Sequence, residues 1–180
     1  MSKLILITGD LASGKSTLAY SLSLTLNIPC FIKDTIKEKY CDELGYENRE
    51  QNRELSVKAV NYMIEAFQRF IKANEDIILE ANFRHSEMTT IKDIADENGV
   101  EVICLVLRGD INILYERFME RNKNRHPAHK SLGLDRGIEY FEKYINELRE
   151  EEIPFLPHII NATNNNEKQV FDIALNIIGK

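Results

Sequence analysis

Eight residues near the start of the chain, Gly9-Asp10-Leu11-Ala12-Ser13-Gly14-Lys15-Ser16, restrict its fold more than anything else in it. They spell G-x-x-x-x-G-K-S, they follow the apolar run Leu4-Ile5-Leu6-Ile7, and they precede an amphipathic stretch from Thr17 to Leu26. Strand, glycine loop and helix in that order is the context a phosphate-binding loop requires. Gly9 and Gly14 let the backbone curl so that successive N–H groups converge on an anion. The helix that opens near Lys15 adds its positive end at the same point. Lys15 is then placed to neutralise the β- and γ-oxygens of a nucleoside triphosphate, and the Ser16 hydroxyl to ligate Mg²⁺. The expected nucleotide cradle is Gly9, Leu11, Ala12, Ser13, Gly14, Lys15, Ser16 and Thr17, holding ATP with Mg²⁺.

The rest of the chain alternates. Strand-length apolar runs occur at Leu4–Thr8, Cys30–Ile32, Ile77–Leu79, Val100–Leu107 and His158–Asn161. Helical patterns lie between them at Lys15–Leu26, Asn52–Ala73, Glu87–Asn98, Ile111–Lys123, Asp135–Glu151 and Glu167–Ile178. In the longest, Val60, Ile64, Phe67 and Ile71 recur at helical spacing. Strands alternating with helices imply an α/β fold with a parallel sheet covered on both faces. The continuous apolar runs agree, because strands buried on both faces do not alternate. The segment Arg125–Gly133 breaks the pattern and contains Pro127 and Gly133, so it is expected to form a mobile flap within a candidate lid spanning residues 117–136.

Composition bounds the partners. The chain has 180 residues, 43% of them hydrophobic, which suits one domain with its own core over residues 1–180. Its formal net charge of −6 gives no global attraction for nucleic acid or an anionic membrane. No apolar run approaches a membrane span, and no signal peptide is visible, so a cytoplasmic location is expected. Cys30, Cys41 and Cys104 lack metal-site or redox spacing; Cys30 and Cys104 read as small core residues.

Two acids and a set of arginines suggest what happens to the nucleotide. Asp34 follows the second strand, where neighbouring strand ends share a ligand-binding rim. It is placed to bind an acceptor and take its hydroxyl proton, or to cap the following helix, or both. Glu80 ends the third strand and reads as a Mg²⁺-side carboxylate or a substrate contact. Arg117, Arg121 and Arg125 recur every four residues and run into the flap, where Arg121 and Arg125 are expected to reach the transferring phosphoryl group. A solvated face paired with Glu116 and Glu120 is the alternative. Arg84 is a candidate clamp for an anionic group on the acceptor. His126 and His129 lack a partner set for zinc and read as flap or substrate contacts.

These segments together resemble the small P-loop kinases of the AAA_33 and zeta-toxin-like group, related to chloramphenicol phosphotransferase, polynucleotide 5′-kinase and gluconate kinase. The resemblance rests on Gly9–Thr17, Asp34, the run Leu79-Glu80-Ala81-Asn82-Phe83-Arg84, and Arg117-x-x-x-Arg121-x-x-x-Arg125-His126-Pro127-x-His129. It implies a five-stranded parallel sheet in the order 2-3-1-4-5 with a helical lid, an acid at Asp34 that binds or deprotonates the acceptor hydroxyl, and lid arginines at 121 and 125 that reach the ATP phosphates. It also implies an adenine-bordering loop at Ala162-Thr163-Asn164, with Thr163 among the nucleotide contacts; relatives often carry Asp where this chain has Asn161. The expected activity is ATP-dependent phosphorylation of a small-molecule hydroxyl. A polynucleotide 5′-hydroxyl acceptor and a nucleotide-dependent binding module or toxin are the alternatives.

Overall fold

The structure, a computed structural model, describes residues 2–179. Strand β1 (Lys3–Gly9) leads through the glycine loop into α1 (Lys15–Leu26). Then come β2 (Cys30–Ile32), α2 (Lys33–Leu44), α3 (Arg49–Ala73), β3 (Ile77–Glu80), α4 (His85–Asn98), β4 (Glu101–Arg108) and α5 (Ile111–Asn122). Two 3₁₀ segments, Pro127–Leu132 and Leu134–Arg136, precede α6 (Ile138–Glu150), β5 (Pro157–Asn161) and α7 (Glu167–Ile178). All five strands are parallel, in the order β2-β3-β1-β4-β5.

Each central strand is apolar on both sides because each side meets helices. Leu4 and Leu6 of β1 pack with Met63 and Phe67 of α3 and with Met88 and Ile91 of α4. Ile5 and Ile7, one residue out of phase, pack with Leu18 and Leu22 of α1 and with Val170 and Ala174 of α7. Burial of each such side chain is worth about 1.5–3 kcal/mol. A third apolar cluster joins Leu114 and Phe118 of α5 to Phe141 and Ile145 of α6, with Leu11 of the glycine loop inserted among them.

The register sets the rim. Gly9 lies opposite Leu107, while Ile7 and Ile32 both flank Glu80. The C-terminal ends of β1, β2 and β3 therefore meet beside the glycine loop. The chain's crossovers change side around β1, the switch point at which open parallel sheets bind ligands.

Two local expectations change. The helix expected from Asp135 begins at Ile138 instead. Gly133 takes a left-handed φ of 65° and the short 3₁₀ turn after it drives Leu134 into the α5–α6 cluster, so the chain reverses before the helix starts. The segment expected to be a mobile flap is docked: Ala128 and His129 are buried, and the Ala128 carbonyl accepts hydrogen bonds from Lys37 Nζ on α2 (3.3 Å) and Asn52 Nδ2 on α3 (3.1 Å). Among the described residues, no helix is long and apolar enough to cross a membrane.

Candidate active site

The glycine loop is held by its own backbone and by distant partners. Gly9 adopts φ 121°, and a Cβ there would lie 2.1 Å from the Leu107 carbonyl oxygen of β4, so no other residue fits. Gly14 is also left-handed, at φ 87°. Ala12 joins them at φ 57°, a strained position for a residue with a Cβ. Asp10 is 1% exposed and accepts hydrogen bonds from Arg149 Nε (3.1 Å), Arg149 Nη2 (2.6 Å) and the Gly109 N–H (3.0 Å). Its carbonyl receives Lys15 Nζ (2.6 Å) and the Ser13 hydroxyl (2.7 Å). Asn82, after β3, donates to the Gly9 carbonyl at 2.6 Å. Arg149 was invisible to sequence reasoning because it comes from α6, 139 residues away.

Ser16 and Glu80 meet: the Ser16 hydroxyl donates to Glu80 Oε2 at 3.0 Å. Glu80 is 4% exposed. Burial pushes its carboxyl above the usual range, and Asp34 adds to the rise, against the opposing effects of Lys15, Ser16 and Arg121. Burial likewise lowers the Lys15 ammonium, with Glu80 and Asp34 opposing it. A buried carboxylate beside a serine hydroxyl is an all-oxygen pair suited to Mg²⁺, which takes one or two protein ligands and completes its shell with water and phosphate. A dication there would also offset the cost of ionising Glu80.

Asp34 sits in the first turn of α2, where the helix dipole favours its charge. It does not cap that helix: the capping position is Ile32, with no side-chain cap bond. Arg125 Nη2 donates to Asp34 Oδ2 at 3.1 Å, and the Arg125 side chain is only 9% exposed. Burial opposes ionisation of Asp34, but positive charge on His129 whenever that ring is protonated, and on Arg125, Arg121 and Lys15, outweighs it and holds the carboxyl below the usual range.

The three arginines do not form one face. α5 ends at Asn122, and the chain continues through Arg125 outside the helix. Arg117 donates to the Ala162 carbonyl (2.9 Å) on the far side of the loop, Arg125 bonds Asp34, and Arg121 lies exposed between them. Arg84 is paired in this structure: its Nη1 bonds Glu151 at 2.9 Å, while the other Glu151 oxygen accepts the His85 N–H. The pair ties the start of α4 to the end of α6.

Beside the glycine loop lies a cleft of about 810 Å³ between α1 and α7, bordered by Ala12, Gly14, Thr17, Arg117, Ala162 and Asn166. The size is that of a small-molecule pocket. Thr163 does not border it. Its hydroxyl accepts the Asp110 N–H (2.9 Å) and donates to Asn161 Oδ1 (3.2 Å), so the side chain closes the loop instead of facing the cleft. Asn161 Oδ1 also receives the N–H groups of Thr163 and Asn164. The carboxamide here organises the turn.

A glycine cradle at the switch point of a 2-3-1-4-5 parallel sheet, with helices on both faces, defines the P-loop kinase fold. The chain belongs to the AAA domain family, matching its AAA_18 model over residues 5–152. No curated protein sequence matches it. Among solved structures, it resembles a protein from Chloroflexus aurantiacus J-10-fl described as a candidate kinase, with 25% identity and a TM-score of 0.79 over 99% of this chain and 97% of that one. A gluconokinase from Sinorhizobium meliloti 1021 shares 13% identity and a TM-score of 0.64, over 98% of this chain and 91% of its own. The APS kinase of Mycobacterium tuberculosis, solved with AMPPNP and APS, shares 12% identity and a TM-score of 0.63, over 99% and 96%.

Proposed function

We propose that this chain is an ATP-dependent kinase that transfers the γ-phosphoryl group to a hydroxyl of a small-molecule acceptor. The observation that carries the reading is the arrangement of three strand ends. Lys15 and Ser16 follow β1, Asp34 follows β2 and Glu80 ends β3, and all of them share one rim. The kinase names of the solved relatives support it, gluconokinase and APS kinase among them.

Backbone N–H groups of residues 11 to 16 receive the phosphates. Lys15 leaves the Asp10 carbonyl for the β/γ oxygens. Ser16 and Glu80 would hold Mg²⁺, which screens charge on the transferring group. The acceptor hydroxyl binds at Asp34 and loses its proton there as its oxygen attacks the γ-phosphorus. Arg121 and Arg125 balance the charge that develops. The adenine lies in the cleft that Arg117 and Ala162 border.

The test is transfer from γ-labelled ATP with Mg²⁺ to a panel of sugars, nucleosides, antibiotics and 5′-hydroxyl oligonucleotides. Label on a small alcohol supports the reading. Label confined to oligonucleotides moves the acceptor class to nucleic acid. Saturable ATP binding with no label on anything leaves a binding module.

A further inference from the structure

His129 lies in the docked segment, 8% exposed, and faces two acids of α2. Its Nε2 is 2.9 Å from Glu38 Oε1, and its Nδ1 is 3.9 Å from Asp34 Oδ1. Glu38 and Asp34 are one helical turn apart, so both carboxylates point to the same side of α2. A carboxylate only accepts, so the bond to Glu38 puts the ring's hydrogen on Nε2. Nδ1 then turns a bare lone pair toward Asp34. That is a poor arrangement for an ionised Asp34, whereas a protonated Asp34 would donate its O–H to Nδ1 once the 3.9 Å gap closes by about 1 Å. The ring is therefore matched to the state that Asp34 reaches after it has taken a proton.

We propose that His129 is a positioning residue for phosphoryl transfer, drawing from Asp34 the proton of the acceptor hydroxyl through Nδ1 while Glu38 holds Nε2. This rests on the reading of Asp34 as the acceptor's base. In the step, the acceptor oxygen bonds to the γ-phosphorus. The bond from that phosphorus to the bridging oxygen breaks, and its electron pair leaves with ADP. The hydroxyl proton moves to Asp34 and on to Nδ1. The imidazolium is paired with Glu38 and later returns the proton to water. An aspartate bonded to Arg125 at 3.1 Å is a weak base, and a second base behind it offsets that weakness.

The surroundings favour a neutral ring at rest. Burial lowers the His129 pKa; Arg125 and Lys37 lower it further, and Asp34 and Glu38 oppose them. From the same segment, the His126 ring stands 6.3 Å away and is itself bonded to Asp42 (3.0 Å). From α3, the neighbour is the uncharged Asn52, which holds the adjoining Ala128 carbonyl. From α6, Tyr144 feels Asp34 and Arg125, and burial keeps its phenol protonated.

Two measurements on the full chain test the idea. Nitrogen-15 NMR at neutral pH, with the signal assigned by its loss in His129→Gln, should show His129 as the Nε2–H tautomer with a bare Nδ1. An Nδ1–H ring, or an imidazolium at that pH, overturns the proposal. The second uses ATP hydrolysis, with water standing in for the acceptor. His129→Gln should lower kcat about tenfold or more and leave the KM for ATP within about twofold, since only the proton path is lost. The wild-type rate should fall at acid pH as the ring gains its own proton, and that acid limb should be displaced in the variant, where Asp34 alone titrates along the proton path. Glu38→Gln, which keeps the fold and the hydrogen-bonding shape, should lower kcat in the same direction. Wild-type turnover beside an unchanged, folded His129→Gln variant overturns this inference alone. ATP binding with no wild-type turnover to water or to any acceptor overturns the kinase reading, and this inference with it.

Discussion

The two sides of the candidate site are built differently. The phosphate side is a single stretch of chain whose shape is set by backbone angles at Gly9, Ala12 and Gly14 and then secured by Asp10. The acceptor side is made of pieces that meet only in the folded protein. Asp34 and Glu38 come from α2, whereas Arg125 and His129 arrive from a segment 91 residues later. The first side is a geometry of main-chain donors and tolerates almost no change in its own residues. The second is a network of charged side chains, which can exchange partners when a ligand enters. Arg125 bonded to Asp34 illustrates this, because both groups are proposed to act on substrate.

The sharpest way to break the comparison is to cut each side at one residue. Lys15→Ala removes the mobile cation of the phosphate side and should cost turnover on the order of 10³-fold. Asp34→Asn should lose about 10²-fold or more of transfer while ATP still binds with unchanged heat in calorimetry. Equal loss of ATP binding in both variants would erase the distinction between the two sides.

Arg149→Ala probes what secures the phosphate side. It leaves the Asp10 carboxylate buried with only the Gly109 N–H, so denaturant unfolding should show a loss of about 2–3 kcal/mol. Because Arg149 belongs to α6, a result near zero would show that the loop stands without help from that helix.

Glu80→Gln tests the cost of keeping a carboxylate ready for a metal. The folded pKa of Glu80 is raised, so the native state holds its proton more tightly than the unfolded state does. Its contribution to stability is present below the unfolded pKa and is lost as pH rises through the folded value. The ligand-free wild type should therefore lose stability on that account as pH climbs from about 5 toward neutrality, starting near the ordinary glutamate range. The variant should show a shallower decline in Tm over the same interval, and a smaller rise in Tm on adding Mg²⁺ and ATP. An unaltered slope would remove the desolvated carboxylate as the cause.

The smallest effect belongs to Ala12→Gly. Relief of the left-handed strain should raise stability by about 1 kcal/mol in urea, provided that the backbone keeps its shape. A loss of stability would mean that the Ala12 methyl packs against its neighbours more than the backbone is strained.

Much of this was legible in the chain. The glycine loop was local, and five apolar runs with helical patterns between them placed all five strands within a few residues of their observed bounds. Those features depend on near neighbours and on periodicity, which sequence carries directly. The start of α6 was not legible, because Leu134 is pulled into a core that only α5 and α6 create together. The Arg117–Arg125 stripe looked like one helical face, and the end of α5 at Asn122 scattered it. Thr163 and Arg84 showed no sign in the sequence of the tertiary partners they bond, at Asp110 and Glu151. His129 carried no signal as a partner of Glu38 and Asp34, since no pattern rule links residues 91 apart. Main-chain shape at the two loop glycines and the burial pattern of the strands were decided by the sequence alone. Which side chains face one another across the rim was decided by packing, because a charge finds its partner through space and not along the chain.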